Sequence, residues 1–450
     1  MKREYDTEDD IAALATPRAA GAIAVIRTSG KRCLEKAARC FSRPKALKAA
    51  EGGTFLYGKI LHPTTKEPID DVIVSVSRAP RSYTGGDCLE ISCHGGIPGV
   101  DAVLAALREV GFRDAEPGEF TMRAFINGKL DLTQAEAVAS LIDAKTKAMH
   151  TASLRTLDGA VSRELSEIRR ILIDVSAAVE VQLDYAEDDL DDAVVVPVAE
   201  LEEAALRLRR LSDSYKVGRL MREGVKIALA GRTNSGKSSL FNRLLNEERS
   251  IVSDIHGTTR DYLEESVTIA GFPVVLYDTA GLRRSDDRIE AEGIERAHRI
   301  LDACDLVLYV VNAVDGETDE DRRRLERIRT PILKVINKID LKAPPAGFNG
   351  IPVSAATGEG LSGLIEALAD RLKSEAGTSE PPFAVNERQS QLVRQALTAV
   401  EAALTDNGGA VLDGIAIELK EALDAVGELT GETASPDILD AVFSRFCVGK

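Results

Sequence analysis

The sequence predicts a multidomain α/β chain: a small N-terminal α+β domain, an all-α helical domain, and a parallel α/β unit inserted into the helical domain. Three observations carry this prediction. Short β-like runs broken by turn residues fill the first quarter of the chain. Apolar residues at three- and four-residue spacing dominate the next quarter and return near the end. Between those helical stretches, strand and helix patterns alternate after a strand that runs into a glycine-rich turn.

Residues 1–118 contain GAIAVIR (21–27), GTFLYGKI (53–60) and DVIVSVS (71–77), separated by Gly and Pro. GVDAVLAALREVG (99–111) has helical spacing, so this part reads as α+β. Residues 119–218 hold QAEAVASLIDAKTKAMHTASLRTL and SRELSEIRRILIDVSAAVEVQL, both with helical apolar spacing. The acidic stretch EDDLDD (187–192) between helices reads as a solvated loop rather than a metal site. Residues 219–378 open with VKIALAG and continue as alternating strands and helices, a parallel sheet. Residues 379–450 return to helices in RQSQLVRQALTAVEAAL, GIAIELKEALDAVGEL and SPDILDAVFSRF. Insertion of one domain into another is feasible when the insert's ends lie close together.

Composition bounds the function. The 450 residues suit two or three domains. Without tryptophan, the cores must be mainly Ala, Leu, Val and Ile. The first residues lack a continuous apolar segment of the kind a secretory signal needs, and no apolar run reaches membrane-spanning length. Six cysteines without CxxC spacing point to a reduced, cytoplasmic setting and away from zinc. The formal net charge of −16 disfavours a protein that holds nucleic acid through its whole surface. RNA handling would need a local basic patch or a partner.

GRTNSGKS (231–238) fits G-x-x-x-x-G-K-[ST], between a predicted strand and a predicted helix. Its backbone N–H groups form an anion nest, which assigns Asn234, Ser235, Gly236, Lys237, Ser238 and Ser239 to phosphate binding. Lys237 reaches the outer phosphates, and the Ser238 hydroxyl holds Mg²⁺. DTAG (278–281) ends a strand, placing Asp278 and Gly281 beside the γ-phosphate and the metal's hydration shell. TTR (258–260) supplies Thr258 and the Mg²⁺-binding Thr259 of a switch loop. In NKID (337–340), Asn337 and Lys338 precede Asp340. That carboxylate accepts from guanine N1–H and the 2-amino group; adenine offers neither, so a mismatched base leaves a buried carboxylate unpaired. SAATGEG (354–360) lays the Ser354 and Ala355 backbone against the base. This order is that of a Ras-like P-loop GTPase domain, with GTP rather than ATP as substrate. Leu282 follows DTAG where Ras-type proteins carry a water-orienting glutamine, so catalysis comes from elsewhere. The polar run RRSDDRIE (283–290) contains one glutamate, Glu290, which stands either as a solvated switch residue or as the catalytic group. No arginine finger is evident. Asn234 and carbonyls near Ser253 and Ile255 are candidate ligands for a monovalent cation.

Four further stretches extend a resemblance over the whole chain: DT-x₅-A-x-ATP with IRTSG, YTGGDCLEISCHGG (83–96), PGEFTMRAFINGKLDLTQAEAVASLIDA (117–144), and the terminal FCVGK. With LREG-like and GTPase segments, they resemble the MnmE (TrmE) family of tRNA modification GTPases. The resemblance implies that the N-terminal domain binds a tetrahydrofolate derivative through Arg27, Glu90 and Lys129 and forms a homodimer. It implies a K⁺ site at Asn234, Ser253, Ile255 and Thr258, and a catalytic role for Glu290. It also implies an FAD-containing, MnmG-like partner in a heterotetramer or larger assembly. Together the two modify C5 of the wobble uridine of certain tRNAs, with folate as one-carbon donor and no membrane involved. Thr233 stands where the family's phosphate loop has proline, and PRAAG replaces a glycine-rich stretch. The alternative reading is a ribosome-assembly GTPase switch without folate chemistry.

Cys447, fourth from the end, stands where a prenylated cysteine would. The following Val448, Gly449 and Lys450 do not make a prenylation box, and the preceding helix is not polybasic. Two readings of the thiol remain: a small side chain packed beneath the last helix, or a group in the modification chemistry.

Overall fold

Both periodicities of the sequence resolve into sheets and helices over residues 9–144, 146–184, 196–247, 264–269, 271–278, 301, 303–345, 347–376, 383, 385–406 and 412–450, which the computed structural model describes. They divide into two units. The first comprises Met1–Ala139, Thr156–Arg209 and Arg388–Lys450; the second comprises Ser140–Arg155 and Arg210–Glu387.

In the first unit, strands β1 (Ile11–Leu14), β2 (Ile23–Ser29), β3 (Thr54–Leu61), β4 (Pro68–Ser77), β5 (Cys88–His94) and β6 (Arg113–Asp114) form one sheet. Its order is β3-β4-β5-β2-β1-β6, antiparallel except for the β1–β6 pair. The runs at 21–27, 53–60 and 71–77 are β2, β3 and β4. Alternation sets the faces: Val72, Val74 and Val76 point into the core with Ile26 and Ile91. Arg27 and Glu90, one residue along from Ile26 and Ile91, therefore stand on the opposite face, directly paired across strands. Helices α1 (Cys33–Ala37), α2 (Pro44–Ala49) and α3 (Ile97–Glu109) cover the core face. α3 buries Val100, Val103, Leu104 and Leu107, the spacing of one helical stripe.

Helices α4 (Glu119–Ile126), α5 (Leu132–Ile142) and α6 (Lys147–Leu157) follow. Next come α7 (Ala160–Asp184) and α8 (Val198–Glu223). α7 buries Leu165, Ile168, Leu172, Val175 and Val179 at helical intervals. The stretch EDDLDD lies outside the described residues.

In the second unit the sheet contains β7 (Val225–Ala230), β8 (Glu264–Ile269), β9 (Phe272–Asp278), β10 (Leu306–Asn312), β11 (Ile332–Asn337) and β12 (Ile351–Pro352). Its order is β12-β11-β10-β7-β9-β8; all pairs are parallel except β8–β9 at the edge. β7 and β10 are almost wholly buried, as strands covered on both faces must be. Helices α9 (Lys237–Glu247), α10 (Asp319–Leu325) and α11 (Leu361–Ala376) belong to this unit. The order reverses at β7, and in such sheets ligands bind beyond the carboxyl ends of strands at that point.

The chain returns to the first unit in α12 (Glu387–Asp406), α13 (Leu412–Thr430) and α14 (Pro436–Phe443). α13 packs along α7. After α14, Phe446 is buried against Phe443, whose ring also meets the partly buried Phe125.

Candidate functional site

The turn from β7 into α9 is built by backbone geometry that side chains rarely adopt. Gly231 has φ 139° and Gly236 φ 93°. A Cβ at Gly231 would strike the Val310 carbonyl, and one at Gly236 would strike the Asn337 amide, so glycine is required at both. Asn234 is left-handed at φ 62°, a conformation asparagine tolerates, and its side chain is exposed. The Lys237 ammonium lies across the loop, donating to Gly231 O at 3.0 Å and Arg232 O at 2.7 Å. Ser238 Oγ donates to Asp278 Oδ2 at 2.7 Å, joining the start of α9 to the end of β9.

Asn337 fastens this loop to the predicted base pocket. Its Nδ2 donates to Ser235 O at 3.0 Å, and its Oδ1 accepts from Ala355 N at 3.0 Å. Ser354 Oγ donates to Asp340 Oδ1 at 2.6 Å. Asn234 to Ser239, Asp278, Asn337, Lys338, Asp340, Ser354 and Ala355 thus lie at the carboxyl ends of β7, its neighbour β9 and β11, which stands one strand further beyond β10, and in the loop after β12. Ser235 is buried, and its hydroxyl has no partner among the described residues. Ser253, Ile255, Thr258, Thr259, Gly281 and Glu290 lie outside the described residues. The sequence reading missed the ion pair from Arg232 to Glu320 at the start of α10, 3.2 Å; no motif signals it.

A second constellation lies on the open face of the first unit's sheet. Arg27 donates through Nε (3.0 Å) and Nη2 (2.7 Å) to Glu90 Oε1. Its Nη1 donates to the Gly449 carbonyl at 3.2 Å. The guanidinium lies 5.4 Å from the Tyr83 ring centroid and 5.8 Å from that of Phe120. Burial pushes the Tyr83 hydroxyl up in pKa, against the lowering effect of the Thr121 hydroxyl bond and of Arg27. Lys129 Nζ donates to Pro80 O at 3.2 Å. Arg27 and Lys129 therefore meet the same loop, Arg27 at Tyr83 and Lys129 at Pro80. Asn127 holds that loop at Thr84 O, 2.7 Å.

The tail belongs to this site. Gly118 N donates to Cys447 O at 3.4 Å, and Phe120 N donates to Lys450 O at 3.2 Å. Gly449 has φ 92° and packs so closely on the Leu14 carbonyl that a Cβ would have to displace backbone. Beside it, the carboxylate of Glu119 is nearly fully buried. Burial alone would raise its pKa, but the Arg113 fork (2.6 Å), the Glu116 N–H (2.8 Å) and Arg123 (2.9 Å) outweigh it and hold the carboxyl below its ordinary range.

Cys447 is exposed, which removes the reading of a thiol packed beneath the last helix; Phe446 fills that place. The other five cysteines are buried. Burial pushes the Cys40 thiol to about 11 and the Cys304 thiol to about 12.

The profile described as "MnmE helical domain" matches residues 132–447, and that described as "GTP-binding protein TrmE N-terminus" matches residues 10–129. The tRNA modification GTPase MnmE of Carboxydothermus hydrogenoformans is 40% identical, over 98% of this chain and 100% of that protein. The protein of the same description from Treponema denticola is 40% identical over 99% of each chain. That from Moorella thermoacetica is 41% identical over 98% of this chain and all of the other.

Proposed function

The chain belongs to the MnmE family of tRNA modification GTPases, and from that premise we propose how its residues serve the reaction. It is a GTP hydrolase acting in tRNA modification. In the proposed reaction, hydrolysis depends on K⁺, and an FAD-containing partner joins a homodimer of this chain. Together they place an aminomethyl-type group on C5 of the wobble uridine of certain tRNAs, in the cytoplasm. A tetrahydrofolate derivative supplies the one-carbon unit. The observation that carries this reading is the likeness along the whole chain, not along the GTPase segment alone.

Each residue has a role in this reading. Lys237 exchanges the carbonyls of Gly231 and Arg232 for the outer phosphates of GTP. Ser238 and Thr259 would offer Mg²⁺ the hard hydroxyl oxygens it takes, and Asp278, already joined to Ser238, would hold the metal's hydration shell. Asp340 reads guanine, and Ser354 fixes that carboxylate's orientation. Asn234 offers an exposed amide oxygen to K⁺, with Ser253, Ile255 and Thr258. Positive charge there offsets what develops during phosphoryl transfer, in place of an arginine. Glu290 positions the attacking water, which Leu282 cannot do.

The residues facing the folate also suit it. Glu90 spends only Oε1 on Arg27, leaving Oε2 to accept from pterin N–H groups. Arg27 and Lys129 supply positive charge for the ligand's carboxylates. Cys447 presents an exposed thiol on the same tail that Arg27 holds. We assign it to the modification chemistry or to partner handling.

Nucleoside analysis of tRNA after deletion of the gene tests the reading; an unchanged wobble-uridine modification would remove it. Cys447→Ser should cut or abolish the modification while GTP hydrolysis continues. Wild-type levels of modified tRNA in that variant would show that the thiol has no chemical part.

A further inference from the structure

The eighteen-residue stretch from Lys31 to Lys48 concentrates positive charge in an acidic chain. It carries seven basic residues and one acidic residue, Glu35, against a net charge of −16 for the whole. Two of the seven are neutralised: Arg32 pairs with Glu35 at 3.2 Å, and Lys36 pairs with the buried Asp10 at 2.6 Å. Arg39, Arg43, Lys45 and Lys48 are exposed, and none lies within ion-pair distance of a carboxylate among the described residues.

The fold gathers these four along one border. Segment 40–42 runs beside β3, the outer strand of its sheet: Phe41 bridges Ile60, Ser42 N donates to Lys59 O at 2.9 Å, and Leu61 N to Cys40 O at 2.7 Å. Arg43 is fixed by one bond to Tyr57 O, 3.2 Å, which leaves most of its guanidinium fork outward. At one end, Lys66 donates to Arg39 O at 3.3 Å and adds a fifth exposed cation. At the other, Arg78 donates to Lys48 O at 2.9 Å and anchors that end of α2. On β3 itself, Phe55 and Tyr57 are 71% and 64% exposed.

We propose that this border, Arg39, Arg43, Lys45, Lys48 and Lys66, is the surface on which the tRNA substrate docks through its phosphate backbone. Charge complementarity is the argument. The chain as a whole carries a net charge of −16, so a local strip of cations without carboxylate partners both attracts a phosphate polymer and fixes where it lands. Arg43, held by its backbone bond, presents a fork suited to phosphate oxygens. Phe55 and Tyr57 offer flat faces on which an unstacked base can lie. The proposal rests on tRNA being the substrate, as read above.

The test uses the full chain and fluorescently labelled, unmodified tRNA transcript, with anisotropy read across a series of KCl concentrations. The triple variant Arg43→Gln, Lys45→Gln, Lys48→Gln should bind about tenfold or more weakly at low salt. Its log–log salt slope should be shallower by roughly 2 to 3, the share of three phosphate contacts. The swap Arg43→Lys, Lys45→Arg, Lys48→Arg should keep the wild-type slope. Thermal midpoints within a few degrees of wild type establish that the variants fold. Unchanged tRNA affinity and slope in the Gln variant would overturn the proposal. So would a border that instead binds anionic phosphatidylglycerol vesicles, or one whose neutralisation only changes the oligomeric state. Nucleoside analysis separates the two failures: modification lost on gene deletion, with tRNA binding unaffected in the triple variant, leaves the function standing and the docking surface wrong.

Discussion

The phosphate loop and the Arg27 site are assembled in opposite ways. In the loop, the consecutive residues Gly231 to Lys237 set the shape through their own backbone and the Lys237 bonds to Gly231 and Arg232, and partners remote in sequence such as Asn337 and Asp278 fasten it. Arg27 is defined by residues that are remote in sequence: Glu90, Tyr83, Phe120 and the carbonyl of Gly449. A site of the first kind tolerates change in its surroundings. A site of the second kind depends on the whole unit having folded.

Four measurements would break or sharpen that contrast. The largest effect is expected at Asp340. Its replacement by Asn turns an acceptor into a donor facing guanine N–H, and GTP affinity should fall on the order of 10³-fold, read by displacement of a fluorescent guanine nucleotide. Affinity within a fewfold of wild type would mean that the base is read elsewhere.

Next comes catalysis. Glu290→Ala should lower kcat by about 10²-fold while nucleotide affinity holds, the scale of a positioned acid–base group. Hydrolysis should be much faster in K⁺ than in Na⁺ at equal ionic strength. Equal rates in the two salts would sink the cation's part, and an unaltered Glu290→Ala rate would return that residue to an ordinary switch position.

The third measurement tests the remote assembly. Arg27→Lys keeps the charge but cannot hold Glu90 and Gly449 together, because the planar fork is gone. Calorimetry with a reduced folate should show affinity about tenfold weaker. If the same change shifted GTP affinity equally, the two sites would not be independent and the contrast would fail.

The smallest effect concerns acid stability. Glu119 has a folded pKa below the ordinary value of 4.5. Its contribution is therefore complete above that value and is lost as pH falls through the lowered folded pKa. Circular dichroism of Glu119→Gln should show lower stability at neutral pH and a flatter loss on acidification below about 4.5. Parallel acid limbs in variant and wild type would remove Glu119 from the account.

The same contrast explains what could be read from the letters alone. GRTNSGKS marked the place of the loop because its glycines and Lys237 act on their immediate neighbours. The strands at 21–27, 53–60 and 71–77 were legible because one face of each is buried and the period is two. β1 was harder, since Ile11–Leu14 is short and three of its four residues are buried, so no alternation shows. Arg27 and Glu90 carry no local sign of a site; they entered through resemblance, and the geometry adds that they face each other across β2 and β5. That Gly449 completes Arg27's bonds had no signal in the sequence. Nor did the role of Asn337 as a fastener between two loops, although its motif was recognised. Cys447 could be placed in the tail, but its exposure depends on Phe446 turning inward instead.

Arg27 and Gly449 are 422 positions apart in the chain. At about 5–20 residues per second, a ribosome that has just made the arginine needs roughly 20 to 80 s before the glycine exists. Throughout that interval the first sheet has an arginine whose last ligand has not been synthesised. The earliest-made part of the protein is thus among the last to be finished. A nascent chain that stops short, even by a handful of codons, carries the phosphate loop intact but lacks the carbonyl that completes Arg27.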